Sequence, residues 1–269
     1  MSWVACTRMY DVTPGARAHW HALAQIVARR AGIELECIDH AAPKPLTDLW
    51  ARDDLALVFM CGLALATRYA SVRPLAAPVT VIAGGPSPIY RSVWLVRADS
   101  AFQSLESTFG HRIGWLAEHS HSGFNAPRHT LLAYRSSARP RLYRETIGPL
   151  EHPRGALRAL ADSRVDVVAL DAWWWWLLQS HDAPTASAFR AIGETLVAPI
   201  PPIICGEACP VDVGDRLSTA LLALHEETAA LPHLAAVGVR RFAAVARRDY
   251  DVLAGLEKDA VAAGYPLPA

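Results

Sequence analysis

The sequence predicts an α/β protein with largely parallel sheets. Three observations carry that prediction. Short apolar runs alternate with longer stretches of helical spacing, from SWVACTRM at the start to VDVVALD at 165–171. Gly and Pro stand at the junctions between them. Hydrophobic residues make up 52% of the chain and charged residues 19%, enough to build a sizeable core and too apolar for disorder. A chain of 269 residues allows one large domain or two of about 100–150 residues.

SWVACTRM reads as the first strand. Residues 14–31 repeat apolar side chains at Trp20, Leu23, Ile26 and Val27, with Pro14 suited to a first turn and Gly32 to a stop, so they predict a helix. IELECID (33–39) is a strand, 46–52 a short helix and DLALVFMCG (54–62) a buried strand. VTVIAGG (79–85), SVWLVRADS (92–100) and HRIGWLAE (111–118) follow as strands. Residues 123–135 read as helix with Pro127 in its first turn, and RLYRETI as a strand. PRGALRALADS (153–163) is an amphipathic helix, VDVVALD a strand and AWWWWLLQSH a helix. The chain ends in two long helical patterns, 213–231 and 239–263.

Lys plus Arg equals Asp plus Glu, so there is no basic excess of the kind a nucleic-acid binder shows. No apolar run reaches the ~18 residues that span a bilayer, so no direct membrane insertion is expected. MSWVACTRMYD lacks a cationic start followed by an apolar core. The sequence as written therefore reads as cytoplasmic, and as periplasmic if a leader has been removed. Five cysteines form an odd set, which makes reduced thiols the default. Cys205 and Cys209, in CGEAC, could form a bridge or half a metal site; the spacing is not CxxC and no second pair follows, so no metal is expected.

EHSHSGFN (118–125) gathers donors between a strand and a helix. The first amides of a helix lack internal acceptors and, with the helix dipole, attract an anion. Ser120, His121 and Ser122 would add side-chain donors, and Gly123 would let a ligand approach the backbone. The plainer alternative is an N-cap by Ser120 or Ser122 with the histidines facing water.

GPSPIYRSVWLVRADS, followed by HSHSGFNAPRHTLL and EHPRGALRALADSRVDVVALDAWWWWLL, resembles the substrate-binding proteins of phosphate, phosphite and phosphonate ABC transporters. MYDVTPGARAHWHAL and the Cys61–Gly62 pair also resemble segments of that family, and the likeness covers roughly residues 5–205. It implies a two-lobed type II periplasmic-binding-protein fold, each lobe a mixed, mainly parallel sheet flanked by helices, with a ligand cleft between lobes. Residues 1–90 and 200–269 would form the first lobe and 91–199 the second, with crossings near 90–92 and 196–202. It implies ligand-binding roles for Tyr10, Cys61, Gly62, Tyr90, Ser92, Ser120, His121, Ser122, Gly123, Phe124 and Asp171; Trp173, by its place on the helix beside Asp171, is a further candidate pocket wall. It also implies a small anionic ligand, an ABC transporter membrane component as partner, a monomer and no cofactor. The chain departs from the family pattern at His121, where Thr or Gln is usual, at Ala156, where Ser is usual, and at Ser163, where Gly is usual. His152 lies near the family's histidine with a one-residue slip.

Other readings of these residues stay open. Four consecutive tryptophans point all round a helix, so two or three must pack, and Trp173 is nearest Asp171. Asp171 is either a helix cap or a pocket acceptor beyond a strand's carboxyl end. As a pocket acceptor it would call for a ligand bearing a donor as well as an anionic group. Cys61 reads as packing or as a nucleophile. Ser120 or Ser122 with His119, His121 or His152 and Asp171 holds the ingredients of a hydrolase. No G-x-S-x-G elbow is present, so a solute binder is expected and a cytosolic enzyme or ligand sensor is the alternative.

Overall fold

A computed structural model describes residues 2–269. The chain divides into two compact units, one holding residues up to Ile89 with Pro199–Tyr250, the other Tyr90–Ala198 with Asp251–Ala269.

In chain order the first segment runs β1 (Trp3–Cys6), α1 (Pro14–Ala31), β2 (Leu35–Cys37), α2 (Leu46–Trp50), β3 (Leu55–Phe59), α3 (Gly62–Thr67) and β4 (Arg73–Thr80). β5 (Ile89–Tyr90) lies where the chain leaves this unit. The second unit continues with β6 (Ser92–Arg97), β7 (Arg112–Gly114), α4 (Ala126–Leu131), β8 (Glu145–Ile147) and α5 (Pro153–Ala161). Then come β9 (Val167–Asp171), α6 (Ala172–His181), α7 (Ala183–Ala186), β10 (Phe189–Glu194) and the returning β11 (Ala198–Pro199). The first unit is completed by β12 (Ile203–Cys205), α8 (Val211–Leu222), α9 (Leu231–Ala236) and β13 (Val239–Ala243), and α10 (Asp251–Ala262) belongs to the second.

The first unit is built on a six-stranded sheet of order β13-β4-β12-β3-β1-β2. β1, β2 and β3 are parallel, while β12 and β13 run antiparallel to their neighbours. Helix α1 spans the predicted limits because both ends are chemically marked. Thr13 Oγ1 accepts from Ala16 N at 3.1 Å, and Gly32 takes φ +62° while Ile33 N reaches back to Ala28 O. Trp20, Leu23, Ala24 and Val27 bury its apolar face.

The second unit is built on a five-stranded sheet of order β10-β6-β9-β7-β8. β7, β8 and β9 are parallel, and β6 and β10 are antiparallel to their neighbours. Its core gathers Trp94, Val96, Ile113, Leu131, Tyr143 and Val167. Trp173, Trp174 and Trp175 are buried and Trp176 is half-buried, as four indoles spread round one helix require.

Several elements differ from expectation. The strand read at 79–85 is in fact Arg73–Thr80, whose Pro74 and Pro78 hide a strand from sequence reading. The helical pattern read at 239–263 begins as β13, an edge strand pairing only with β4, and the one read at 213–231 stops at Leu222. β10 lies in a stretch to which no element was assigned, and its ladder with β6 is bulged near Gly193. The last residues, Asp251–Ala269, group with the second unit, whereas the sequence reading placed them with the first. α10 packs on α4, and Asn125 Nδ2 donates to Leu253 O at 3.0 Å. Among the described residues, no helix is long and apolar enough to cross a membrane.

Candidate functional site

The topology of the second unit sends four loops to one sheet edge. β7, β8 and β9 are parallel, so their carboxyl ends share that edge; β6 is antiparallel to β9, so its first residue lies there too. The edge therefore receives Tyr90 and Ser92, the segment after β7 with Ser120–Phe124, His152 after β8 and Asp171 at the end of β9. The carboxyl ends of strands in an α/β sheet are where ligands lie.

Ser92 pairs directly opposite Asp171 in the β6–β9 ladder, so their side chains share a face. The main chain of Ser92 is held on both sides, its N–H donating to Thr195 Oγ1 at 3.0 Å and its carbonyl accepting from Thr195 N at 2.9 Å. The Ser92 hydroxyl is buried, with the residue 1% exposed, and has no hydrogen-bond partner among the described residues. Tyr90 and Ser92 are buried, while Arg91 between them pairs with Glu194 at 2.6 Å, the alternation an extended segment produces.

Asp171 caps α6: its Oδ1 accepts from Trp173 N at 2.7 Å and Trp174 N at 3.2 Å, and Ala172 N donates to Arg91 O at 3.0 Å. The start of α6 is thus filled by a carboxylate. The start of the helix after β7 is not. There Ser120 Oγ accepts from Gly123 N at 3.0 Å and Ser120 O from Asn125 N at 3.0 Å. This first turn, His121–Asn125, is π-helical and leads straight into α4. Its other leading amides have no acceptor within the helix.

His121 does not face water. It is 1% exposed, and burial, with a smaller effect from His129, pushes its imidazole down to about 3, so it is neutral at ordinary pH. Its Nδ1 lies 3.3 Å from Asn125 Nδ2 and its ring 6.1 Å from that of Tyr90. Asn125 Oδ1 accepts from the buried Arg128 at 3.2 Å, and Arg128 also donates to Pro266 O at 3.0 Å. The loop therefore rests on a buried polar chain whose links no local pattern reveals, since its partners lie in α10 and the tail.

Gly123 is also held to a small residue by packing. A Cβ there would stand 2.4 Å from Leu116 Cγ, so the small residue serves close packing of the loop on Leu116. Phe124 is buried against Trp115, with Arg128 over its ring at 4.7 Å. Ser122 is half-buried, and Trp173 is fully buried. His152 caps α5, its Nδ1 accepting from Gly155 N at 3.2 Å. Ser163 adopts φ +55°, the left-handed conformation that suits the Gly usual there.

In the first unit the same rule applies to β1 and β3. Tyr10 ends the 3-10 turn Arg8–Tyr10 after β1, buried edge-on against Phe59 at 4.8 Å. Cys61 and Gly62 follow β3 and open α3, both buried. All five cysteines are free thiols, and no group of three or more His, Cys, Asp or Glu residues that could hold a metal occurs among the described residues.

A mixed sheet with helices on its faces and capped loops at its carboxyl edge, twice over, defines a periplasmic-binding-protein fold. The family model for the ABC transporter, phosphonate, periplasmic substrate-binding protein matches residues 14–250, and the chain belongs to that family. Members are binding components of transporters, not enzymes; they take a small phosphonate ligand and work with ABC membrane components. The fold is similar to that of a binding-protein component of an ABC phosphonate transporter from Pseudomonas aeruginosa. That likeness has a TM-score of 0.80 at 16% identity and covers 98% of this chain and 88% of the other. PhnD1 from Prochlorococcus marinus, solved with methylphosphonate, is similar with a TM-score of 0.74 at 14% identity, covering 95% and 97%. A Xanthomonas citri protein solved with ATP gives 0.65 at 19% identity, covering 98% of both chains. No curated protein sequence matches the chain.

Proposed function

We propose that this chain captures a small phosphonate- or phosphate-type oxyanion as the periplasmic, monomeric binding component of its transporter. The observation that carries the reading is the buried Ser92 hydroxyl, which has no partner among the described residues at the loop-bearing edge of the second unit's sheet. A buried hydroxyl left unpaired costs on the order of 1–3 kcal/mol, which a ligand oxygen would recover. The amides of the helix starting at His121 supply the positive end of a dipole, and Ser120 and Ser122 flank it. Ser120 spends its oxygen on Gly123 N, which leaves its hydroxyl proton for a ligand.

Tyr90 adds a phenol beside Ser92, and the neutral His121 fixes the loop through Asn125 without adding charge. Gly123, Phe124 and Trp173 shape the site by packing. Asp171 accepts two amides of α6, and a carboxylate at this edge suits a ligand that carries a donor, such as a protonated oxygen or an amine. The first unit, by itself, offers Tyr10, Cys61 and Gly62 at the ends of its own strands β1 and β3 as candidate ligand residues. The process is capture, with no bond made or broken.

A thermal-shift series with methylphosphonate, inorganic phosphate and acetate tests this. A ligand that binds only the folded chain raises Tm with concentration. Methylphosphonate or phosphate is expected to raise Tm; no rise with either up to millimolar concentration overturns the reading.

A further inference from the structure

Cys205 and Cys209 bracket the loop that joins β12 to α8, in the sequence CGEAC. Cys205 Sγ points to Arg73 O at 4.0 Å and Cys209 Sγ to Pro210 O at 3.7 Å, and the two thiols lie near enough to influence each other's proton affinity. The backbone brings them to the same turn. Cys209 N donates to Gly206 O at 3.1 Å, a tight turn, while Gly206 N is tied to Leu55 O at 3.0 Å at the end of β12. Cys205 is buried under α8, its Sγ in reach of Gly214, whereas Cys209 is half-exposed between the exposed Ala208 and Pro210. Cys6 and Cys61 are buried elsewhere, and Cys37 contacts Gln25.

We propose that Cys205 and Cys209 are a modification site, closing into an intramolecular disulfide when the protein meets a disulfide oxidant. The family is periplasmic, and that compartment oxidises thiols. The accessible Cys209 loses its proton and attacks one sulfur of the oxidant, breaking its S–S bond and releasing one thiolate. The Cys205 thiolate then attacks Cys209 Sγ, forming the internal bond and expelling the second thiolate. Two thiols are oxidised, one disulfide is reduced, and the two protons leave with the released thiols. Burial raises Cys205 to about 12 and also raises Cys209, so closure is slow at neutral pH and faster as pH rises. Arg73 lowers both and partly offsets the burial.

The test incubates the full chain with oxidised glutathione at alkaline pH and reads the intact mass and the peptide spanning 205–209. The expected result is the loss of two hydrogens, a cross-linked 205–209 peptide, and two of the five thiols lost to alkylation under denaturing conditions. C205S, which keeps Cys209 but removes the resolving thiol, is expected to hold a stable glutathione adduct on Cys209. A wild-type chain that carries that same adduct, or that keeps all five thiols, overturns the proposal.

Discussion

Ser92 stands directly opposite Asp171 across the β6–β9 ladder, a hydroxyl and a carboxylate on one face of an otherwise apolar sheet. The carboxylate is engaged by two amides of α6, and the hydroxyl is engaged by nothing among the described residues. Structural need explains the first and not the second.

Ser92→Ala therefore separates binding from folding. The chain loses no hydrogen bond seen in the fold and sheds a buried, unpaired hydroxyl, so the ligand-free protein should melt at the wild-type temperature or above it. Affinity for methylphosphonate should fall by about tenfold to a hundredfold, the worth of a hydrogen bond to a charged group. Calorimetry beside thermal melting gives both numbers.

Ser120→Ala should cost both. Losing the Oγ acceptor for Gly123 N removes an N-cap, about 1 kcal/mol. If the same side chain also donates to the ligand, affinity drops beyond what the lower stability explains. Denaturant melts with and without ligand resolve the two effects.

Asp171→Asn should keep the cap, since Asn accepts from the α6 amides as Asp does. It removes a negative charge near a bound anion, so methylphosphonate should bind more tightly and an amine-bearing phosphonate less tightly. Equal changes for the two ligands would place Asp171 outside the site.

Gly123→Ala should destabilise the second unit by about 1–3 kcal/mol, because its methyl group meets Leu116 at well under van der Waals contact. The double variant with Leu116→Ala should recover part of that clash. A Gly123→Ala chain that melts like the wild type would contradict the packing role.

Acid should weaken the fold through His121. Its folded pKa lies near 3 and its unfolded value near 6.5, so the unfolded chain binds the extra proton first. Stability from this group is fully present above pH 6.5 and declines as pH falls toward 3, by at most about 1.4 kcal/mol per pH unit. His121→Gln should flatten that slope in urea melts between pH 6.5 and 4.

Much of the layout of the candidate site was legible because its residues lie at strand ends. The strand-to-helix junctions at Asp171 and near Ser120, and the alternation about Arg91, follow from local pattern, and local pattern is what a sequence displays. The packing constraint on Gly123 was not legible because it comes from Leu116, which faces it only once the loop folds back. Asn125, Arg128 and the tail were missed for the same reason, since Leu253 is far from Asn125 in sequence. β4 was displaced by its prolines and β13 was taken for helix because VRRFA, half-buried at a sheet edge, carries no strict alternation.

The most direct measurement is calorimetric titration of the wild-type chain with methylphosphonate. One saturable site that weakens by an order of magnitude or more in Ser92→Ala is the predicted result. No saturable heat with methylphosphonate or phosphate, or wild-type affinity retained by Ser92→Ala, would contradict the account.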